Sequence, residues 1–179
     1  MIVPRICEVL QAEATRARAV DVRIGLGYVA VLTDAGGAGV AYTPREDLEH
    51  GCSPLDGADP LAGQRLSALL AHLESSRPIE RAVGVAATNA LVASRPPAAV
   101  TGGDVLRALA LRTEDRVGMV GCFEPLIAPV QAQVASLTIF ERARGRTVGV
   151  QPAERALDLL PTCTVALITS TALITESLD

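Results

Sequence analysis

Hydrophobic positions change their spacing several times along the chain, and each change marks an element. From Pro4 to about Ala19 apolar residues recur at Ile6, Val9, Leu10, Ala14 and Ala17, the spacing of one helix face. Val20 to Thr33 is rich in β-branched residues, is broken by Gly25 and Gly27, and leads through Ala35-Gly36-Gly37-Ala38 to the short run Val40 to Thr43. That pattern predicts a meander of two or three antiparallel strands joined by glycine turns. Acids, glycines and prolines between Pro44 and Pro60 predict a loop. Leu66, Leu69, Leu70 and Leu73 then form the stripe of an amphipathic helix, and Pro78 opens a second helix running to about Ser94.

Arg95-Pro96-Pro97-Ala98-Ala99 divides the chain, because a double proline stops a helix and stiffens an extended link. Beyond it strands and helices alternate. Thr101-Gly102-Gly103-Asp104 resembles a capping box opening a helix to about Leu111. A strand over Val117–Val120, a helix from Pro125, a strand over Leu137–Phe140, a helix over Pro152–Leu160 and a strand over Val165–Ile168 follow. In the Pro152 helix, Ala153, Ala156, Leu157 and Leu160 share a face and Pro161 is the stop. Strand–helix alternation predicts a parallel sheet with right-handed crossovers. The fold class is thus α/β: a small α+β domain over residues 1–95, then a parallel three-layer α/β domain over residues 96–179.

Composition removes several kinds of chemistry. Every residue of the basic total is arginine; without lysine there is no P-loop, no Schiff base and no kinase strand lysine. A net charge of −4 and four aromatic residues, Tyr28, Tyr42, Phe123 and Phe140, argue against nucleic acid as a partner. The N-terminus carries no signal-peptide pattern, and the apolar run Ala82–Ala93 is too short to span a bilayer, so a cytoplasmic protein without a membrane partner is expected. Cys7, Cys52, Cys122 and Cys163 stand far apart with no C-x-x-C pair, the distribution of small buried hydrophobes rather than of a zinc site.

The candidate chemistry collects where strands end. Arg116 to Pro125 reads as a buried strand running into a glycine turn, with Gly118 and Gly121 spaced for close approach of a ligand and a following helix N-terminus that would offer N–H groups to an anion. The dinucleotide fingerprint lacks its third glycine, so packing is the competing reading. Glu141 directly follows the next strand, where dinucleotide folds place an acid for ribose hydroxyls; with Arg142 and Arg144 it reads equally as a solvated charge cluster. Thr169-Ser170-Thr171 ends the last strand, as hydroxyl donors or as a helix cap. Asn89 lies inside the apolar run Val83–Leu91, where its amide is expected to be buried and to fix one helix against another. His50 and His72 have no metal partner in the sequence pattern.

These segments, in this order, resemble the putative heavy-metal chelation family, formerly a domain of unknown function. The matching stretches are VGVAATNAL (Val83 to Leu91), RVGMVGCFEPLI (Arg116 to Ile127), LTIFER (Leu137 to Arg142) and PAERALDLLPTCTVALITSTALI (Pro152 to Ile174). The glycine-turn run and the strand ending in T-x-T-A-L are the more specific of them. The resemblance implies an enolase-N-terminal-like domain followed by a Rossmann-like domain, with a ligand site in the cleft between them. Carried over by residue, it points to Asn89, Gly118, Gly121, Phe123, Glu141, Thr169 and Thr171 as ligand-binding, with Glu141 as a metal ligand. Two departures bear on that site, which is then altered, incomplete or completed by another subunit. The family pattern continues with more helix and strand, whereas this chain ends at Asp179 inside an expected helix, and Thr175 stands where asparagine is expected.

Three functions follow as expectations. The first is binding of a metal ion, a metal chelate or another small ligand, with a divalent cation as the cofactor to be sought. Soft metals prefer thiolates, and one cysteine beside the site is a poor trap, so a hard or chelated metal is favoured. The second is an enzyme using a nucleotide or S-adenosylmethionine, with the glycine turn under the ligand. The third is a non-catalytic subunit of a homo-oligomer or partner complex, covering apolar faces and an edge strand. No nucleophile–base pair identifies a reaction, since Ser170 has no histidine placed to activate it.

Overall fold

The computed structural model describes residues 2–45, 60–96, 103, 105–142 and 149–176. The chain forms two compact units: Met1–Pro97 together with Leu173–Asp179, and Ala98–Ala172.

The first unit holds helix α1 (Ile2–Arg16), strands β1 (Ala19–Ile24), β2 (Tyr28–Thr33) and β3 (Ala38–Tyr42), and helices α2 (Leu66–Ala71) and α3 (Pro78–Ala93). A 3₁₀ turn, His72–Glu74, extends α2. The strands form the predicted antiparallel meander in the order β1-β2-β3, with Tyr28 opposite Tyr42 and Leu32 opposite Ala38. Alternation sends Val29, Val31 and Thr33 of β2 and Gly39 and Ala41 of β3 inward. Against that face lies α3, which is apolar nearly all round and buries Ala82, Val83, Val85, Ala86, Ala87, Ala90 and Leu91. Small residues are required here. A Cβ on Gly39 would collide with the Ala86 carbonyl and the Ala90 amide, and one on Gly84 would sit 2.7 Å from the Leu73 amide. Thus α3 touches the sheet and the α2 segment almost backbone to backbone. The predicted leucine stripe supplies the other wall: Leu66, Leu69, Leu70 and Leu73 are all buried, each contributing about 1.5–3 kcal/mol.

Two expectations for this unit need correction. Helix α1 spans Ile2–Arg16 and buries Val3, Leu10 and Ala14, while Val9, assigned to the inner face, is exposed. Asn89 is exposed, not buried. It shares an outward face with Val92 and Ala93 near the end of α3, and its amide donates to the Val40 carbonyl at 2.8 Å, bracing β3 from outside. The expected loop between Pro44 and Pro60, with His50 and Cys52, lies mostly outside the described residues.

The end of the chain returns to this unit. Ile174 is buried in its core, and Arg81, itself 4 % exposed, reaches it from α3. The Arg81 guanidinium donates to the Ile174 carbonyl at 2.6 Å and to the Ser75 carbonyl at 2.7 Å, and stands 3.2 Å from Glu176. A buried cation is thereby satisfied mainly by backbone carbonyls.

The second unit contains α4 (Val105–Leu109), β4 (Arg116–Val120), α5 (Glu124–Gln131), β5 (Ser136–Glu141), β6 (Val150–Pro152), α6 (Ala156–Leu159) and β7 (Val165–Ile168), and α7 (Thr171–Ile174) begins in it. The sheet order is β6-β5-β4-β7 and every pair is parallel, as strand–helix alternation predicts. The capping box proposed before α4 lies outside the described residues except Gly103. Strand β6 was not foreseen. Pro152 adopts extended backbone (φ −55°, ψ 143°), so it ends a strand and opposes Glu141 instead of opening a helix. The helix expected over Pro152–Leu160 is accordingly shorter: 3₁₀ turns at Ala153–Arg155 and Leu160–Thr162 flank a four-residue α6, and Leu157 faces solvent. The helix expected to run to Asp179 can be followed only to residue 176, since residues 177–179 lie outside the described residues. Helix α7 stops at Ile174, and Glu176 adopts a left-handed φ of 54°.

Candidate functional site

The strand order fixes where a ligand can sit. From β4 the chain steps to β5 and β6 on one side and then returns to β7 on the other, so the topology reverses between β4 and β7. In open parallel sheets the crevice lies at that reversal, beyond the carboxyl ends of the strands. Gly121 follows β4 there with φ 88°. Its N–H donates to the Phe140 carbonyl at 2.9 Å, while the Thr169 N–H donates to the Val120 carbonyl at 3.0 Å. A Cβ on Gly121 would lie 2.5 Å from the Thr169 methyl carbon, so the two loops touch through the missing side chain.

Hydroxyls and a carboxylate complete the edge. The Thr169 hydroxyl stands 3.2 Å from that of Thr171 and accepts the Thr171 N–H at 3.3 Å, shaping the start of α7. Glu141 ends β5, and both its oxygens are engaged: Oε2 accepts the Cys122 N–H at 2.9 Å, and Oε1 accepts the Arg142 N–H at 2.8 Å. Phe123, half-buried, caps α5 through its backbone, its carbonyl accepting the Leu126 N–H at 2.8 Å.

The structure therefore gathers Gly121, Phe123, Glu141, Thr169 and Thr171 at one strand-end edge and leaves two named residues elsewhere. Gly118 lies mid-strand in β4, where a Cβ would meet Leu160 at 2.6 Å and the Cys163 sulfur at 3.0 Å; its absence lets the α6 segment pack. Asn89 belongs to the first unit, on the outer face of α3.

The expectation of an anion-binding helix N-terminus meets an obstacle. Pro125 has no N–H, the Leu126 N–H is taken by Phe123, and the Cys122 N–H is taken by the protein's own carboxylate, Glu141, which leaves the N–H groups of Phe123 and Glu124 at the turn. Glu124 adds a second acid in the first turn of α5. The exposed Cys122 thiol registers this field. Its pKa is raised, first by desolvation and then by the charges of Glu124 and Glu141. A thiol held protonated is a poor ligand for a soft metal. Among the described residues no three His, Cys, Asp or Glu side chains come together as a metal-ion ligand set. Among the described residues His72 has one ion-pair partner, Glu80, at 3.7 Å. The donor set at the strand ends does not fit a bare heavy-metal ion.

The sequence exposed Glu141 but not its partner. Nineteen residues separate it from Cys122, and the bond goes to a backbone amide, which carries no signature of its own. Glu124 is legible in the sequence as an acid in a helix's first turn. Arg81, a cation inside the apolar run Ile79–Leu91, is a sequence signal for a buried, satisfied charge.

Comparison with known proteins yields two family-model matches, both described as putative heavy-metal chelation, over residues 7–92 and 104–179. No curated protein matches. Among solved structures, a protein of unknown function from the DUF364 family of Pyrococcus horikoshii is similar at 22 % identity and a TM-score of 0.82, covering all of this chain and 72 % of the other. A DUF364 family protein of unknown function from Desulfitobacterium hafniense is similar at 18 % identity and a TM-score of 0.73, covering 98 % of this chain and 72 % of the other. At those identities the likeness carries the fold: a small antiparallel α+β unit and a Rossmann-like parallel unit.

Proposed function

The chain belongs to the putative heavy-metal chelation family, and from that premise we propose that its strand-end edge binds a small ligand with a positive centre, a metal held within an organic chelate. The observation that carries this reading is the Glu141–Cys122 contact. A turn that would cradle a phosphate has its first amide, that of Cys122, filled by a carboxylate, with Glu124 beside it. A phosphate brought there must face two acids, at a Coulomb cost of roughly 1–4 kcal/mol per close pair. A cationic centre gains from the same field. The chelate's own donor atoms supply the metal coordination that the described side chains lack.

Each residue then has a role in holding the ligand. Gly121 leaves the open surface between the β4 and β7 loops. The Thr169 and Thr171 hydroxyls hydrogen-bond the organic part, the Phe123 ring supplies apolar contact, and Glu141 orients the turn while its charge faces the ligand. Gly118 and Asn89 support their own elements by packing and bracing.

Amide chemical-shift mapping tests the proposal with two probes of opposite sign. Hexaamminecobalt(III), an inert cationic complex, is expected to shift the Cys122, Arg142 and Thr171 amides, and Glu141→Gln to weaken that response at least about tenfold. Pyrophosphate shifting the same amides at lower concentration than the cobalt complex would overturn the reading.

A further inference from the structure

A cavity lies in the first unit, away from the strand-end edge. The carboxyl ends of α1 and α3 and the turn after β2 surround a cavity of about 470 Å³ lined by Glu13, Arg16, Asp34, Leu91, Ser94 and Arg95, among others. That volume is within the range of small-molecule sites. Its charges are not equivalent. Arg95 is committed to Glu13, with Nε at 2.9 Å and Nη2 at 2.8 Å from one carboxylate oxygen. Asp34 accepts a single bond, from the Arg18 backbone N–H at 2.9 Å, and faces no cationic side chain in an ion pair among the described residues. The Arg16 guanidinium has no hydrogen bond or ion pair among the described residues.

Two carbonyl-bearing helix ends and Asp34 favour a cation on one side, and Arg16 offers a fork for a carboxylate. Between them Leu91, 3 % exposed, with Ala17, Ala35 and Pro96, gives an apolar wall. We infer that this cavity binds a free α-amino acid with an aliphatic side chain, its carboxylate on Arg16, its ammonium on Asp34 and its side chain along Leu91. A zwitterion matches the pattern because each of the two free charges, both at the exposed mouth of the cavity, receives a counter-charge. The inference does not depend on the strand-end reading, which concerns the other unit.

Calorimetric titration of the full chain with L-leucine, 4-methylpentanoate and 3-methylbutylamine tests it, since the last two each lack one charge. L-leucine should bind saturably at one per chain, and each half-ligand at least about tenfold more weakly, a factor worth roughly 1.4 kcal/mol. Arg16→Gln and Asp34→Asn should each lower leucine affinity by a similar factor. The asparagine keeps the oxygen that accepts the Arg18 amide, so unchanged circular dichroism separates lost binding from lost folding. No heat with leucine to about 10 mM, equal binding of a half-ligand, or two variants that bind like the parent chain would each overturn the inference.

Discussion

Replacing Arg81 by methionine should destabilise the first unit far more than removing its exposed ion-pair partner. The guanidinium makes two short bonds to backbone carbonyls, those of Ile174 and Ser75. Hydrogen bonds to a charged group contribute about 1.5–3 kcal/mol each. Methionine keeps the apolar stem and removes the cost of burying a charge, which offsets part of the loss. A net cost of about 3 kcal/mol follows. For a unit of roughly a hundred residues this lowers the midpoint by about 12–24 °C. Glu176 is 64 % exposed, so Glu176→Ala should cost no more than about 1 kcal/mol. The protein has no tryptophan, and both tyrosines, Tyr28 and Tyr42, lie in the first unit. Tyrosine emission during urea unfolding therefore reports that unit alone. An Arg81→Met variant within about 0.5 kcal/mol of the parent, or Glu176→Ala equally costly, would refute the reasoning.

Three further outcomes are expected. Gly121→Ala forces a left-handed backbone on a residue with a Cβ, about 1–2 kcal/mol, and displaces the Thr169 methyl group; it should abolish the hexaamminecobalt response in the amide spectrum while tyrosine-monitored stability stays unchanged. Glu80 lies below its ordinary pKa, chiefly because the Ser75 hydroxyl donates to it, aided by the charges of Arg77 and His72 against burial. A depressed carboxyl pKa gives stability that is present above the unfolded value and lost as pH falls through the folded one, so acid unfolding of the first unit should begin under about pH 4.5 and flatten in Glu80→Gln. Iodoacetamide should alkylate Cys122 at neutral pH more slowly than a free cysteine derivative, and Glu124→Gln should quicken it; a faster reaction in the parent chain would contradict an acid-lined turn.

Sequence pattern carried the fold wherever burial was one-sided or complete. The leucine stripe, the β-branched meander and the strands at Val117 and Val165 were legible because their spacing is set by what they pack against. Strand β6 was not, since three residues ending in proline carry too little pattern. An apolar run suggests burial all round, whereas the last turns of α3 bury Ala90 and Leu91 on one side and turn Asn89 and Val92 outward on the other. At the site, residue types were readable and their pairings were not. Glu141 looked like a group for a ligand, yet its nearest partners are the amides of Cys122 and Arg142, a relation set by tertiary register alone.

Native mass spectrometry of protein purified without added metal or chelator tests the central claim most directly. The account predicts an adduct whose mass combines a metal and an organic ligand, which acid removes and Glu141→Gln loses. A nucleotide or phosphate adduct on the parent chain, retained in Glu141→Gln, would contradict it.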